Sequence, residues 1–316
     1  MRDIPATPSD MDHTETPAKR VVVMIPTFKR TTQLLACLTG IEHAAGHAGL
    51  QVLVLVVDND PDGSALDLVQ SRMPSPAIQG WVYLQESRKG VVWARNAALA
   101  HVRGLETRFD AGLWIDDDEV PDLNWLSAMM KVLPEWDVIT GRVEKTWDSP
   151  CELDEIGAGD ARAGHKSGPQ QPPLSTSNLC LSARVLYADI WFDSWFNGIG
   201  GEDSDFSFRC LGLTDRFYSC PESIVREYQP SGRTTAAYLA RRAMFANYVW
   251  QELKRRYGRA PLPRSIYLVG SIAMWIFVTA HIPLSRSARL RRQIRRSQLR
   301  GAILYWLGAE LGTGDY

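Results

Sequence analysis

The chain has 316 residues, 45% hydrophobic and 22% charged, with a formal net charge of −1; this ordinary globular composition is enough for a full core and reads as one large domain, or one domain with an appendage. Its five cysteines are odd in number, scattered and without a CxxC pair, which excludes a disulfide framework and a cysteine zinc site and points to a reducing compartment. The near-neutral charge hides an asymmetry: residues 233–300 hold 15 Lys/Arg against a single acid, Glu252, so the front of the chain carries the compensating negative excess.

Residues 1–18 are polar and Pro/Thr-rich, with no apolar stretch of the signal-peptide kind, and read as a flexible tail. Val21-Val22-Val23-Met24-Ile25-Pro26 is a β-branched apolar run closed by proline, which predicts a buried strand of a parallel sheet. Helical spacing over 31–41 and a second apolar run over 52–58 complete a β-α-β unit. Such sheets bind ligands at the carboxyl ends of their strands, which places Pro26, Thr27, Phe28 and Asp58 on one edge. Asp58 also fits a turn role ahead of Pro61-Asp62-Gly63.

Residues 81–84 predict a third strand, and Gly90 leads into an Ala-rich helix that runs through 103. Arg95 sits near the start of that helix, where the macrodipole favours acids. It reads either as a contact for a ligand anion or as a bridge to an Asp cluster or to Asp58. A fourth strand, 113–115, then delivers Asp116-Asp117-Asp118-Glu119 and stops at Pro121.

Four adjacent carboxylates repel one another, so a site that holds them calls for a cation, unless the string is simply a solvated acidic turn. Oxygen ligands without His or Cys select Mn2+ or Mg2+ over zinc. Magnesium takes one or two carboxylates plus substrate phosphates, which implies a nucleotide or diphosphate ligand.

Residues 150–177 are rich in Gly, Pro and Gln and lack periodicity, as expected of a long surface loop acting as a lid or binding loop. His165 within it reads more readily as a plain loop histidine than as a metal ligand, and Trp147 before it either stacks on a ligand or closes the core. Glu202-Asp203 follows a glycine-rich stretch and precedes a predicted helix over 204–211. Taken alone, the pair fits a helix N-terminus with acids in its first turn.

The back of the chain predicts an amphipathic helix over 238–257, ended by Gly258 and prolines 261 and 263. Residues 265–285 contain no Lys, Arg, Asp or Glu, and 286–300 then hold seven arginines. Arginines beside apolar segments suit an anionic leaflet, so the expectation is attachment to the cytoplasmic face of the cell membrane by embedded or re-entrant helices. A true span and a soluble helical appendage are the alternatives. No base-reading motif accompanies the charge, so no nucleic acid partner is expected.

The order Ile25-Pro26-Thr27-Phe28, Val57-Asp58-Asn59, Gly90 with Ala94-Arg95-Asn96, Ile115-Asp116-Asp117-Asp118, Ser177-Asn178-Leu179, Trp191-Phe192-Asp193 and Gly201-Glu202-Asp203-Ser204-Asp205-Phe206 resembles the family 2 glycosyltransferases. Within that family it is most similar to the bacterial exopolysaccharide enzymes of succinoglycan type. The resemblance implies an α/β fold of the GT-A class over 19–232, with a mixed, mostly parallel sheet flanked by helices, followed by a basic, membrane-associating helical region over 233–316.

It further implies an inverting, metal-dependent transfer from a nucleoside-diphosphate sugar, UDP foremost, to a glycan or lipid-linked acceptor. The donor site would be lined by Pro26, Thr27, Phe28, Asp58, Arg95, Asp116, Asp117 and Asn178, with Asp58 facing the base and Asn178 a sugar hydroxyl. Asp118 would be the direct ligand of Mn2+ or Mg2+ with Asp116 beside it, Asp203 the catalytic base and Glu202 its neighbour. Arg233-Thr234-Thr235 would reach the diphosphate. Lys29 departs from the asparagine frequent in the family at that position. A sugar nucleotidyltransferase and a non-catalytic glycan- or membrane-binding protein are the competing readings.

Overall fold

The computed structural model describes residues 19–148, 151–155, 166–258, 263–280 and 285–311. The expected tail, His165 and most of the stretch around it lie outside the described residues.

In chain order the elements are β1 (Val21–Thr27), α1 (Thr31–Ala48), β2 (Val52–Asp58), α2 (Leu66–Gln70), β3 (Ile78–Gln85), α3 (Val91–Gly104), β4 (Ala111–Trp114), β5 (Glu119–Pro121), α4 (Trp125–Val132), β6 (Val138–Thr146), α5 (Glu152–Glu155), β7 (Gly168–Pro169), β8 (Leu179–Ser182), α6 (Ala183–Leu186), α7 (Glu202–Leu211), β9 (Phe217–Tyr228), α8 (Ala236–Tyr257), α9 (Arg264–Ala280) and α10 (Arg286–Leu307). Two of these, α5 and β7, fall inside the stretch read as structureless loop. A two-residue strand paired with β9 carries too little pattern to be seen in sequence.

The strands form one nine-stranded sheet in the order β3-β2-β1-β4-β8-β6-β9-β5, with β7 also paired to β9. Strands β1 to β4 are mutually parallel, as are β6 and β9, while β8 runs antiparallel between β4 and β6. This is the expected mixed, mostly parallel sheet.

Every residue of β1 is buried, because both faces of the sheet are covered. Val21, Val23 and Ile25 join one core with Leu34, Leu38 and Ile41 of α1 and Trp125 of α4. Val22 and Met24 join a second with Leu99 and Val102 of α3 and Phe206 of α7. The two-residue period of the strand thus splits one continuous apolar run between two cores.

The C-terminal helices do not hang free. Phe245, Val249 and Leu253 of α8 form a third core with Phe196 and Ile199, which precede α7. A Cβ on Gly201 would lie 2.3 Å from a methyl of Val249, and Gly201 has φ +89. Only glycine meets both demands, so the entry to α7 is built against α8.

Candidate active site

Thr27 and Asp58 end β1 and β2 at the same level of the sheet. Beyond them, β4 stops at Trp114, so Ile115 and the acidic run project past the carboxyl edge. The Thr27 hydroxyl donates to Asp117 Oδ2 at 2.8 Å. Pro26 is buried within β1, whereas Phe28 is 44% exposed, with Lys29 Nζ 5.6 Å from its ring centroid.

Asp58 is fully buried, and its carboxylate accepts from the Asp60 and Ala65 amides at 3.0 and 2.8 Å and from the Tyr83 hydroxyl at 3.3 Å. It therefore anchors the loop leading to α2, which is the turn role its sequence context allowed. Lys29 holds a left-handed backbone (φ 55) and reaches Asp60 at 3.5 Å. Asn59 ties the same loop to α3, donating to the carbonyls of Glu86 and Arg88 and accepting from the Gly90 amide. Gly90 is needed there: its φ is +124, and a Cβ would fall 1.8 Å from Asn197 Oδ1.

The four acids have different surroundings. Asp116 is the most open, its side chain 36% exposed. Asp117 is buried and faces Thr27 and Arg30; burial, opposed by Arg30 and reinforced by the Asp118 charge, pushes its carboxyl up to about 6. Burial, again opposed by Arg30, also raises Asp118. Glu119 is completely enclosed, which drives its carboxyl well above the usual range with the Asp116 charge adding to the effect. It accepts from the Asp116 amide at 3.1 Å and from the Ser177 hydroxyl, so it buttresses the loop from below.

Three guanidinium groups face these acids. Arg30 contacts Asp117 at 2.9 Å and Asp118 at 2.7 Å. Arg233 lies 3.6 Å from Asp118 and 3.9 Å from Glu227. Arg95 is buried and makes the bridge that one of its sequence readings gave: it donates to Glu202 at 2.5 Å and to Asp116 at 3.3 Å. One side chain thus joins the rim of β4 to the first turn of α7.

That helix begins at Glu202, two residues before its predicted start, which puts Glu202, Asp203 and Asp205 in its first turn. Carboxylates suit the positive end of a helix dipole. Glu202 is buried beside Arg95; burial raises its carboxyl, and Arg95 works against that. Asp203 is half-buried, and its side chain accepts from the Ser204 amide at 2.7 Å.

Asn178 corrects an expectation. Its side chain is completely buried, accepting from the Trp125 indole at 2.7 Å and donating to the carbonyls of Ser223 and Arg142 at 2.9 and 3.1 Å. No sugar hydroxyl reaches an amide so enclosed and so fully bonded. It is a staple between α4, β6 and β9, in the left-handed backbone (φ 56) that asparagine tolerates. Asn178→Ala should lower unfolding free energy by about 3 kcal/mol, since three buried partners lose their hydrogen bonds, and leave donor KM unchanged. Urea titration with donor kinetics checks both.

Arg30 and Glu227 reach the site although sequence reasoning did not single them out. Glu227 faces Glu119 through the β5–β9 register, a pairing no local pattern reveals. Among the described residues, no group of three or more His, Cys, Asp or Glu side chains is gathered to hold a metal.

The sequence profile described as Glycosyltransferase like family 2 matches residues 17–246, which runs into α8. The succinoglycan biosynthesis protein ExoM of Rhizobium meliloti (strain 1021) is 26% identical over 235 residues, covering 69% of this chain and 68% of the relative. Among solved structures, the mannosyltransferase PcManGT from Pyrobaculum calidifontis, in complex with GDP-Man and Mn2+, superposes with TM-score 0.59 at 18% identity over 93% of this chain and 89% of that one. S. aureus TarS 1-349 in complex with UDP-GlcNAc superposes with TM-score 0.50 at 13% identity over 92% of each chain. With the profile spanning most of its length and this sheet order beneath it, the chain belongs to glycosyltransferase family 2 and has the GT-A fold.

Proposed function

We propose that the protein is an inverting, divalent-ion-dependent glycosyltransferase that moves a sugar from a nucleoside-diphosphate donor, with UDP-sugars the first to test, to a glycan or lipid-linked acceptor in polysaccharide synthesis. The observation that carries the reading is the Arg95 bridge, which sets Asp116 and Glu202 on one guanidinium and so joins the acidic rim to the first turn of α7.

The donor set fits a hard ion. Asp116 and Asp118 offer carboxylate oxygens only, at an edge where acids remain crowded even with arginines beside them, and an ion that keeps waters and takes substrate phosphates needs no more than two such ligands. When bound, the ion would neutralise the charge that grows on the departing diphosphate. Arg233, beside Asp118, adds a guanidinium for the same phosphates. Thr27, Phe28 and the Asp58 loop form the wall for the nucleoside, while Asp203 takes the proton of the acceptor hydroxyl on the far side of the sugar. Glu202, held by Arg95, orients that end of α7.

A panel of nucleotide sugars tests the reading by thermal shift with and without Mn2+, followed by product analysis. The matching donor should raise the melting temperature in the presence of the ion and release nucleoside diphosphate. Release of pyrophosphate would mean nucleotidyl transfer, and no turnover with any acceptor would favour a binding protein.

The same reading places the enzyme at the cytoplasmic face of the membrane. Helix α9 exposes Ile266, Val269, Ile276 and Phe277, each more than half accessible, and α10 beside it exposes Arg286, Arg289, Arg291, Arg295 and Arg300. Among the described residues, no helix is long and apolar enough to cross a membrane; the 17 residues of α9 rise about 25 Å against a hydrocarbon core of roughly 30 Å. A helix lying in the interface, with arginines at the headgroups, fits this arrangement better than a span. Flotation with phosphatidylglycerol vesicles should recover the protein in a salt-sensitive way, and Val269→Asp with Phe277→Asp should abolish recovery. Equal recovery of the double variant would sink this part of the proposal.

A further inference from the structure

Arg30 stands at the entry of α1, where its carbonyl accepts from the Leu34 amide at 2.9 Å, so its backbone is fixed by the first helical turn. One nitrogen of its guanidinium, Nη1, reaches both Asp118 Oδ2 at 2.7 Å and Asp117 Oδ1 at 2.9 Å. The other oxygen of Asp117 is committed to Thr27. The oxygen of Asp118 taken by Arg30 is the same atom that lies 3.6 Å from Arg233. The carboxylate read as the metal ligand therefore already faces two positive charges.

We propose that Arg30 is a resident counter-cation that competes with the divalent ion for Asp118. The inference rests on the reading of Asp118 as a metal ligand and goes beyond it. The guanidinium holds the adjacent carboxylates of Asp117 and Asp118 together against their repulsion. A divalent ion on the Asp118 carboxylate would repel the guanidinium whose nitrogen lies 2.7 Å from Oδ2. Arg30 would loosen its hold on Asp118 as the ion binds. Its side chain is about one-third exposed, so it has room to withdraw, and Asp117 remains as its partner. Arg30 thereby sets how tightly the ion alone is held and keeps the acidic loop assembled between turnovers.

The test is titration of the full chain with Mn2+ alone, following the free-ion electron paramagnetic resonance signal, for wild type, Arg30→Met, Arg30→Lys and Asp118→Asn. Arg30→Met should bind Mn2+ about tenfold tighter, because one charge-assisted hydrogen bond no longer has to be broken. Arg30→Lys keeps the charge and should stay close to wild type. In chelator Arg30→Met should melt below wild type, and Mn2+ should restore it more than it shifts wild type. Unchanged or weaker binding in Arg30→Met, with binding still lost in Asp118→Asn, would overturn the competition and leave the Asp118 reading standing. Binding that survives Asp118→Asn, or no binding in any form, would overturn the Asp118 reading and the inference with it.

Discussion

Asp203→Asn should lower the transfer rate constant by about a thousandfold while leaving donor affinity within about twofold, because a positioned general base contributes roughly 10²–10⁴ to such a step. The substitution keeps the shape of the side chain and removes its basicity. In the structure the Asp203 carboxylate accepts from the amide of the next residue, whereas Glu202 makes the 2.5 Å pair with Arg95. Loss at Asp203 should therefore fall on kcat. Loss at Glu202 should also disturb donor binding, since Arg95 would lose the partner that holds it beside Asp116. Steady-state kinetics paired with thermal shift by the nucleotide separate the two. An Asp203→Asn enzyme that kept a tenth of its rate would remove Asp203 from the mechanism.

Asp205→Ala should cost about 3–5 kcal/mol of unfolding free energy, the usual penalty for removing one partner of a buried charge network. Asp205 is fully buried and holds Arg209 Nε at 2.6 Å, Arg256 Nη1 at 3.2 Å and the Tyr257 hydroxyl at 2.8 Å. Arg256 also reaches Asp193 and Glu252, each at 2.6 Å, and Glu252 accepts from Arg255 and from Tyr305 of α10. This network fastens the helix that begins with Glu202 and Asp203 to the C-terminal helices. Urea titration measures the loss, and an Asp205→Ala protein as stable as wild type would show that α8 is held without the Asp205 contacts.

The network also carries a pH signature. Burial by itself would raise the Glu252 carboxyl, but hydrogen bonds from Arg255, Tyr305 and Arg256 outweigh it and bring it down to about 2. The folded value lies below the unfolded one, so the contribution is complete above the ordinary glutamate range and is lost as pH falls towards 2. The stability gap between wild type and Glu252→Gln should narrow across that window.

Local chemistry was enough to read much of this molecule from its residues. Runs such as 21–26 and 52–58 are short, β-branched and apolar throughout, as suits inner strands of a parallel sheet covered on both faces. Once those strands are parallel, their carboxyl ends, and with them Thr27, Asp58 and the acids after Trp114, must share an edge. The motif spacing was likewise legible, because each motif stands at the end or the start of a strand or helix.

What the residues alone left open is which partner each polar group takes, and that depends on atoms far away in the chain. Asn178 carries the residue type expected of a sugar contact, yet it is consumed by Trp125, Arg142 and Ser223 once α4, β6 and β9 converge on it. Arg30 looks like any arginine at a helix start until the loop after β4 folds back over it. The basic back half reads as a separate appendage by charge, but packing of Val249 against Gly201 and of Arg256 against Asp205 makes α8 part of the support for the α7 acids. Strand and helix formation are set within a few residues by periodicity and backbone geometry, whereas the pairing of buried charges is decided only when tertiary contacts remove the water that would otherwise serve every group equally.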